Sequence, residues 1–227
     1  MKKFTPYFLA LSLSVIFASC SSNEAEVIEN NPENLLQSYT LKRDATGAYS
    51  IDFNTTNNTD VTTVTNVDNS KEIILAETPQ KTATKHSNDF SIENDHLKIG
   101  FFEANKGKRT NIYVEDENIT FAKGITEFLN SYSITANGDG TYQLDFTVND
   151  NVTTDFVYNE DINTYEVHLS NGESTIKEFS RQLNVNTNLD DLIRLNFVNH
   201  KYSAKSAEES LINKPKVIIE VMDSNNI

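Results

Sequence analysis

The 227-residue chain has a single cysteine, no tryptophan, and only 19 basic residues against 33 acidic ones. Each shortage excludes something. One thiol cannot build a disulfide framework, so stability has to come from apolar burial. Without tryptophan the chain lacks the broadest flat surface on which a protein stacks a sugar. The formal charge of −14 argues against binding nucleic acid, whose phosphates reward Lys and Arg. It argues equally against electrostatic docking on an anionic lipid surface. Beyond residue 20, no stretch approaches the ~20 apolar residues of a membrane-spanning helix. What is present is a stock of 13 Phe and 9 Tyr, with many Ile, Leu and Val. That is enough to build a core for one or two small domains.

The first twenty residues stand apart. Lys2 and Lys3 precede an apolar run from Phe8 to Phe17, and Ala18, Ser19 and Cys20 follow. A basic start, a short apolar run and small residues form the order of a secretory signal. A cysteine directly after two small residues resembles the signal of bacterial lipoproteins. The resemblance implies removal of residues 1–19 and attachment of lipid to Cys20, the one modification site expected. A plain secretory signal with a leftover thiol is the other reading. Lipidation accounts better for an unpaired thiol in an oxidising compartment. Residues 20–34 then read as a polar, acidic tether unable to fold alone. Its Ser-rich start and early acidic residues resemble the export tag of Bacteroidota surface lipoproteins. This implies an outer-membrane protein anchored by its N-terminal lipid and facing the cell surface, with a periplasm-facing position as the alternative. Without the signal, 17 basic residues face 33 acidic ones, a charge of −16 that favours solubility.

The remainder is an internal duplication. LLQSYTLKRDATGAYSIDF at 35–53 aligns without a gap with FLNSYSITANGDGTYQLDF at 128–146. DHLKIGFF at 95–102 matches DLIRLNFV at 191–198, and YVEDENI at 113–119 echoes EVMDSNNI at 220–227. These patches define one unit over 35–125 and a second over 126–227.

In each copy apolar residues fall at every second position, as in Tyr49, Ile51 and Phe53 or Tyr142, Leu144 and Phe146, the period of a strand with one buried face. Asp44 to Gly47 and Asn137 to Gly140 supply the Gly and Asn of tight hairpin turns. Further strands are expected near 61–66, 71–76, 89–93, 97–103 and 110–115, and near 152–158, 164–169, 176–185, 191–198 and 216–222. About seven short strands per copy point to an all-β chain of two tandem antiparallel sandwiches resembling immunoglobulin-like domains. The cysteine and tryptophan markers of antibody domains are absent. A lipocalin-like barrel or a continuous meander is the alternative. Short helical turns are expected only at 206–211 and 121–129.

Chemistry-bearing residues are scattered. His86, His96, His168 and His200 show no ligand spacing, so no metal site is expected. There is no Gly-x-Ser-x-Gly elbow. The carboxylate runs Glu115 to Glu117, Glu160-Asp161 and Asp190-Asp191 lack the fixed separation that glycosidase chemistry needs. Oxygen-rich loops at Asn137 to Gly140, Asn149 to Asn151 and Asn159 to Asp161 could suit calcium, but turn chemistry explains the same residues. Tyr113, Tyr158, Tyr165 and Tyr202 lie outside the repeated patches and could stack a sugar or face a protein. The basic loop Asn105 to Arg109, and the longer one carrying His200, Lys201, Tyr202 and Lys205, are either solvated turns or contacts for an acidic partner. The resulting expectation is a non-enzymatic binding or assembly module with no cofactor and a protein or glycan partner. A structural spacer or adhesin unit is the first alternative and a hydrolase accessory the second.

Overall fold

A computed structural model describes residues 33–90, 92, 96–117, 128–185, 193–200 and 216–224. These belong to one compact unit beginning at Pro32. The expected signal, Cys20 and most of the tether lie outside the described residues, as do all of the expected helical turn at 206–211 and all of that at 121–129 but its last two positions.

The first copy forms β1 (Leu36–Arg43), β2 (Tyr49–Thr55), β3 (Thr59–Thr65), β4 (Lys71–Glu77), β5 (Lys85–Phe90), β6 (His96–Glu103) and β7 (Lys108–Asp116). The second forms β8 (Leu129–Ala136), β9 (Tyr142–Val148), β10 (Val152–Asn159), β11 (Thr164–Asn171), β12 (Glu178–Leu183), β13 (Ile193–Asn199) and β14 (Lys216–Ser224). They make two sheets that sandwich a shared core, with no closed barrel. The six-stranded sheet runs β12-β9-β8-β1-β2-β5, and the eight-stranded sheet runs β10-β11-β13-β14-β7-β6-β4-β3. Each copy therefore gives three strands to one sheet and four to the other.

Seven strands per copy is the number expected from turn spacing. Their order departs from the immunoglobulin arrangement, which places its fourth strand beside the first two and the fifth. Here β4 lies in the other sheet, parallel to β6, and β11 lies parallel to β13. A parallel pair needs a crossover; β5 and β12 supply it from the opposite sheet. One strand sits off its expected place. β5 spans 85–90 rather than 89–93, because the polar segment KHSNDF is an edge strand that buries only Phe90.

Both sheets run unbroken through the two copies. β1 pairs with β8, and β7 with β14, both antiparallel. In the sequence alignment Leu41 corresponds to Ile134 and Tyr113 to Glu220. Both are also cross-strand partners, Leu41 opposite Ile134 and Tyr113 opposite Glu220. A pseudo-twofold axis thus passes through the middle of each sheet. Local detail obeys it. The two hairpins close with the same bonds, Gly47 N to Asp44 O and Gly140 N to Asn137 O, and their glycines sit at φ +83° and +82°. Left-handed backbone of this kind favours glycine.

The core repeats in the same way. Phe53 meets Phe101 edge-on at 5.2 Å between centroids, and Phe146 meets Phe197 at 5.4 Å. Tyr39 leans on Phe101 as Tyr132 does on Phe197. These contacts bridge the sheets, and each aromatic pair adds about 0.5–1.5 kcal/mol beyond its burial.

Candidate functional site

With the inner face matched between copies, the outer faces are where the molecule can differ. The outward positions of the six-stranded sheet carry small hydroxyl and carboxylate side chains on regular, well-paired strands. A hollow of about 800 Å³ opens over β1, β8, β9 and β12 and reaches the start of β2. Ser50, Ser131, Ser133, Thr147 and Ser180 line it, with Lys42 and Asp145 among its charges. The hollow exists because these side chains are short; the strands beneath are continuous.

The same serine–aspartate pair occurs in both copies. Ser87 donates to Asp52 Oδ1 at 2.6 Å, and Ser180 donates to Asp145 Oδ1. The copies then diverge. Lys42 forms an ion pair with Asp52, and the Lys42 and Ser87 bonds hold that carboxyl below its usual range. Asp145 instead sits near the Gln143 amide, which donates to Ser180 Oγ at 2.7 Å. Among the described residues, no cation pairs with Asp145. The hollow therefore holds an exposed carboxylate ringed by hydroxyls, a set of donors and acceptors that complements a hydroxyl-bearing ligand. No histidine lines it.

The other singled-out residues fall as follows. Cys20, Tyr202, Lys201, Lys205, Asp190 and Asp191 lie outside the described residues. His168 and His200, 32 positions apart, meet at 2.7 Å, Nδ1 to Nε2, and His168 Nε2 lies 3.0 Å from Glu166. Local spacing could not reveal this, since a parallel pairing of β11 with β13 creates it. His96 stacks on Tyr113 and bonds its hydroxyl at 2.9 Å, while His86 stacks on Phe53. Among the described residues no group of three or more His, Cys, Asp and Glu could hold a metal ion.

Tyr158 and Tyr165 come together with Phe156 at the β10 edge, ring centroids 4.8 and 5.7 Å apart. Phe156 and Tyr165 pack against the core, whereas Tyr158 stays exposed. The oxygen-rich loops are occupied by their own turns. Asp139 accepts from Thr141 N and Oγ1, Asp150 pairs with Lys177, and Asn159 accepts from Asp161 N. The basic loop is likewise engaged. Lys106 donates to Asn34, Lys108 pairs with Asp223, and Arg109 pairs with Glu72 over the Phe102 ring. Of the carboxylate run at 115–117, Glu115 accepts from the Tyr113 hydroxyl, whereas Asp116 turns into the core.

Sequence reasoning missed the hollow entirely. Outward Ser and Thr at strand period are what any solvated face shows, and no single residue marks this one. No family model matches the chain, and neither a curated protein nor a solved structure matches it.

Proposed function

We propose that the chain is a lipid-anchored, non-catalytic binding module of the bacterial envelope, and that a glycan docks on the outer face of its six-stranded sheet. The observation that carries this reading is the 800 Å³ hollow of hydroxyls around Asp145. Sugar hydroxyls donate to a carboxylate and accept from Ser and Thr, so the lining suits them without an aromatic platform. Rigid strands hold the lining in place, which limits the ordering cost of binding. The Asp145 carboxylate accepts from Ser180, but no histidine lines the hollow to relay a proton, which favours binding over nucleophilic catalysis. The lipoprotein-like signal ending at Cys20 supports the anchor, and the charge of the mature chain fits a soluble body on a tether.

The test is capture on an array of immobilised envelope glycans by the wild-type chain, by Asp145→Ala and by Ser131→Trp. The reading expects one glycan class to be retained by wild type and lost by both variants. Parallel crosslinking in cells, with Cys20→Ala as the unanchored control, tests for a protein instead. A stoichiometric protein partner without any glycan capture would overturn the glycan reading and leave an assembly subunit.

A further inference from the structure

The pseudo-twofold axis relates the two ends of the interlayer space, and one end contains an arginine that the other lacks. At the first end Arg43 reaches inward from β1. Its Nε donates to Asp116 Oδ2 at 2.8 Å, with side chains 3% and 0% exposed. Tyr49 donates to the same oxygen at 2.9 Å, and Tyr132 donates to Tyr49 at 3.3 Å. Every member has a mate at the second end. Asp223 stands for Asp116, Tyr142 for Tyr49, and Tyr39 for Tyr132. Tyr39 donates to Tyr142 at 3.4 Å, mirroring the first pair. Arg43 alone is replaced by a short side chain, that of Ala136.

A cavity of about 160 Å³ lies there, lined by Ala136, Tyr39, Tyr142, Asp223, Glu103 and Lys108 among others. This is several times the ~30 Å³ share of a water molecule. Its charges do not balance. At the first end Arg43 and Asp116 cancel, and the mate of Glu103 is the neutral Asn199. At the second end, among the described residues, two carboxylates face one ammonium: Glu103 accepts from the Leu35 and Leu36 N–H groups, and Asp223 accepts from Thr110 Oγ1 and lies 3.2 Å from Lys108 Nζ. Among the described residues the lining is one positive charge short, and the mate that Ala136 replaces is a guanidinium.

We propose that the Ala136 cavity is a receptor site for a guanidinium group. The first end is the template for how it is held: planar N–H donors against a carboxylate, flanked by tyrosine hydroxyls. Arginine's rigid fork suits this better than a lysine ammonium does. The group can come from free arginine or from an arginine side chain of a partner; the chemistry at the cavity is the same. The site lies between the sheets, apart from the outer hollow, and does not depend on how that hollow is used.

The experiment is calorimetric titration of the full chain with L-arginine, with N-acetyl-arginine amide, and with L-lysine and L-norleucine as controls. At least one arginine compound should bind saturably, about tenfold or more tighter than lysine. Binding of free arginine alone identifies a small-molecule site. Equal or tighter binding of the capped residue identifies a site for a partner's side chain. Ala136→Arg should abolish binding and raise the melting temperature in the absence of ligand. Ala136→Leu should abolish binding by filling the space, which keeps the test decisive if the arginine variant folds poorly. Failure of both arginine compounds to bind wild type, or undiminished binding in Ala136→Leu, overturns the proposal.

Discussion

The two ends of the sandwich share one plan and differ in how they neutralise a carboxylate. At the first, Arg43 and Asp116 are sealed in the core with two tyrosines. At the second, the cation comes from β7 instead of the first hairpin, and the Lys108–Asp223 pair is 25% and 21% exposed. A duplication starts with identical halves, so a core that stays matched reports what folding needs. The places that diverge, Arg43 against Ala136 inside and Lys42 against the hollow outside, are free to serve something else. On the proposed reading, folding and binding are thereby separated within one molecule.

The most drastic way to break the comparison is to cut the copies apart. Residues 33–127 and 128–227 expressed singly would each expose the edges that β1 and β8, and β7 and β14, cover for one another. Neither half alone should give a cooperative thermal transition by circular dichroism, whereas the two mixed should regain it. The next effect distinguishes the ends. Arg43→Ala leaves a buried carboxylate without its cation and should cost about 3–5 kcal/mol in urea unfolding. Asp223→Ala at the half-open end should cost about 1 kcal/mol or less. Equal losses would mean that the ends are electrostatically alike.

The buried tyrosines give the comparison a pH signature. Burial pushes the Tyr39, Tyr49 and Tyr132 hydroxyls above the ordinary tyrosine range. The Tyr142 hydroxyl adds to this at Tyr39, and Tyr132 and then Asp116 add at Tyr49. At Tyr132 the bond to Tyr49 pulls the other way, while Asp116 adds. A pKa raised in the folded state means stability that is intact below the unfolded value of about 10 and lost as pH rises beyond it. Each tyrosine should remove about 1.4 kcal/mol per pH unit in that window. Urea midpoints measured from pH 8 to 11 check this, and Tyr132→Phe should flatten the decline.

Two smaller effects sharpen the picture. A Cβ on Gly138 would lie 2.7 Å from the Gln37 carbonyl oxygen, whereas its mate in the first hairpin, Ala45, already carries one. Gly138→Ala should cost about 1–3 kcal/mol by overpacking, and Ala45→Gly well under that. Asp145→Ala, at an exposed outer position, should change stability by about 0.5 kcal/mol or less while removing glycan capture.

Much of this fold is legible in the sequence. Period-two patterning and turns that open on Asp or Asn and end on Gly locate β1, β2, β8 and β9, because those strands bury one face and turn tightly. β5 is not legible at its true position, since an edge strand needs few apolar residues. That the copies share sheets is hidden as well. Strand alternation says which face is buried but not which strand lies beside it, so β1 could have ended the first unit instead of joining β8. The replacement of Arg43 by Ala136 stands in the alignment, and strand alternation turns the position inward, yet nothing local shows that Asp116 and Asp223 lie opposite it. The hollow is illegible for the same reason, being made by the shortness of several scattered serines.

The most direct test of the claim that the six-stranded face carries the ligand uses the scarcity of cysteine. Ser133→Cys places a thiol in the hollow, and Asn111→Cys places one on the outer face of the eight-stranded sheet. Maleimide labelling rates would be compared in isolated envelopes and after purification of the same protein. The account predicts that the thiol at 133 is protected in envelopes and released on purification, while the thiol at 111 reacts alike in both. Equal reactivity at 133 in both preparations, or protection confined to 111, would contradict it.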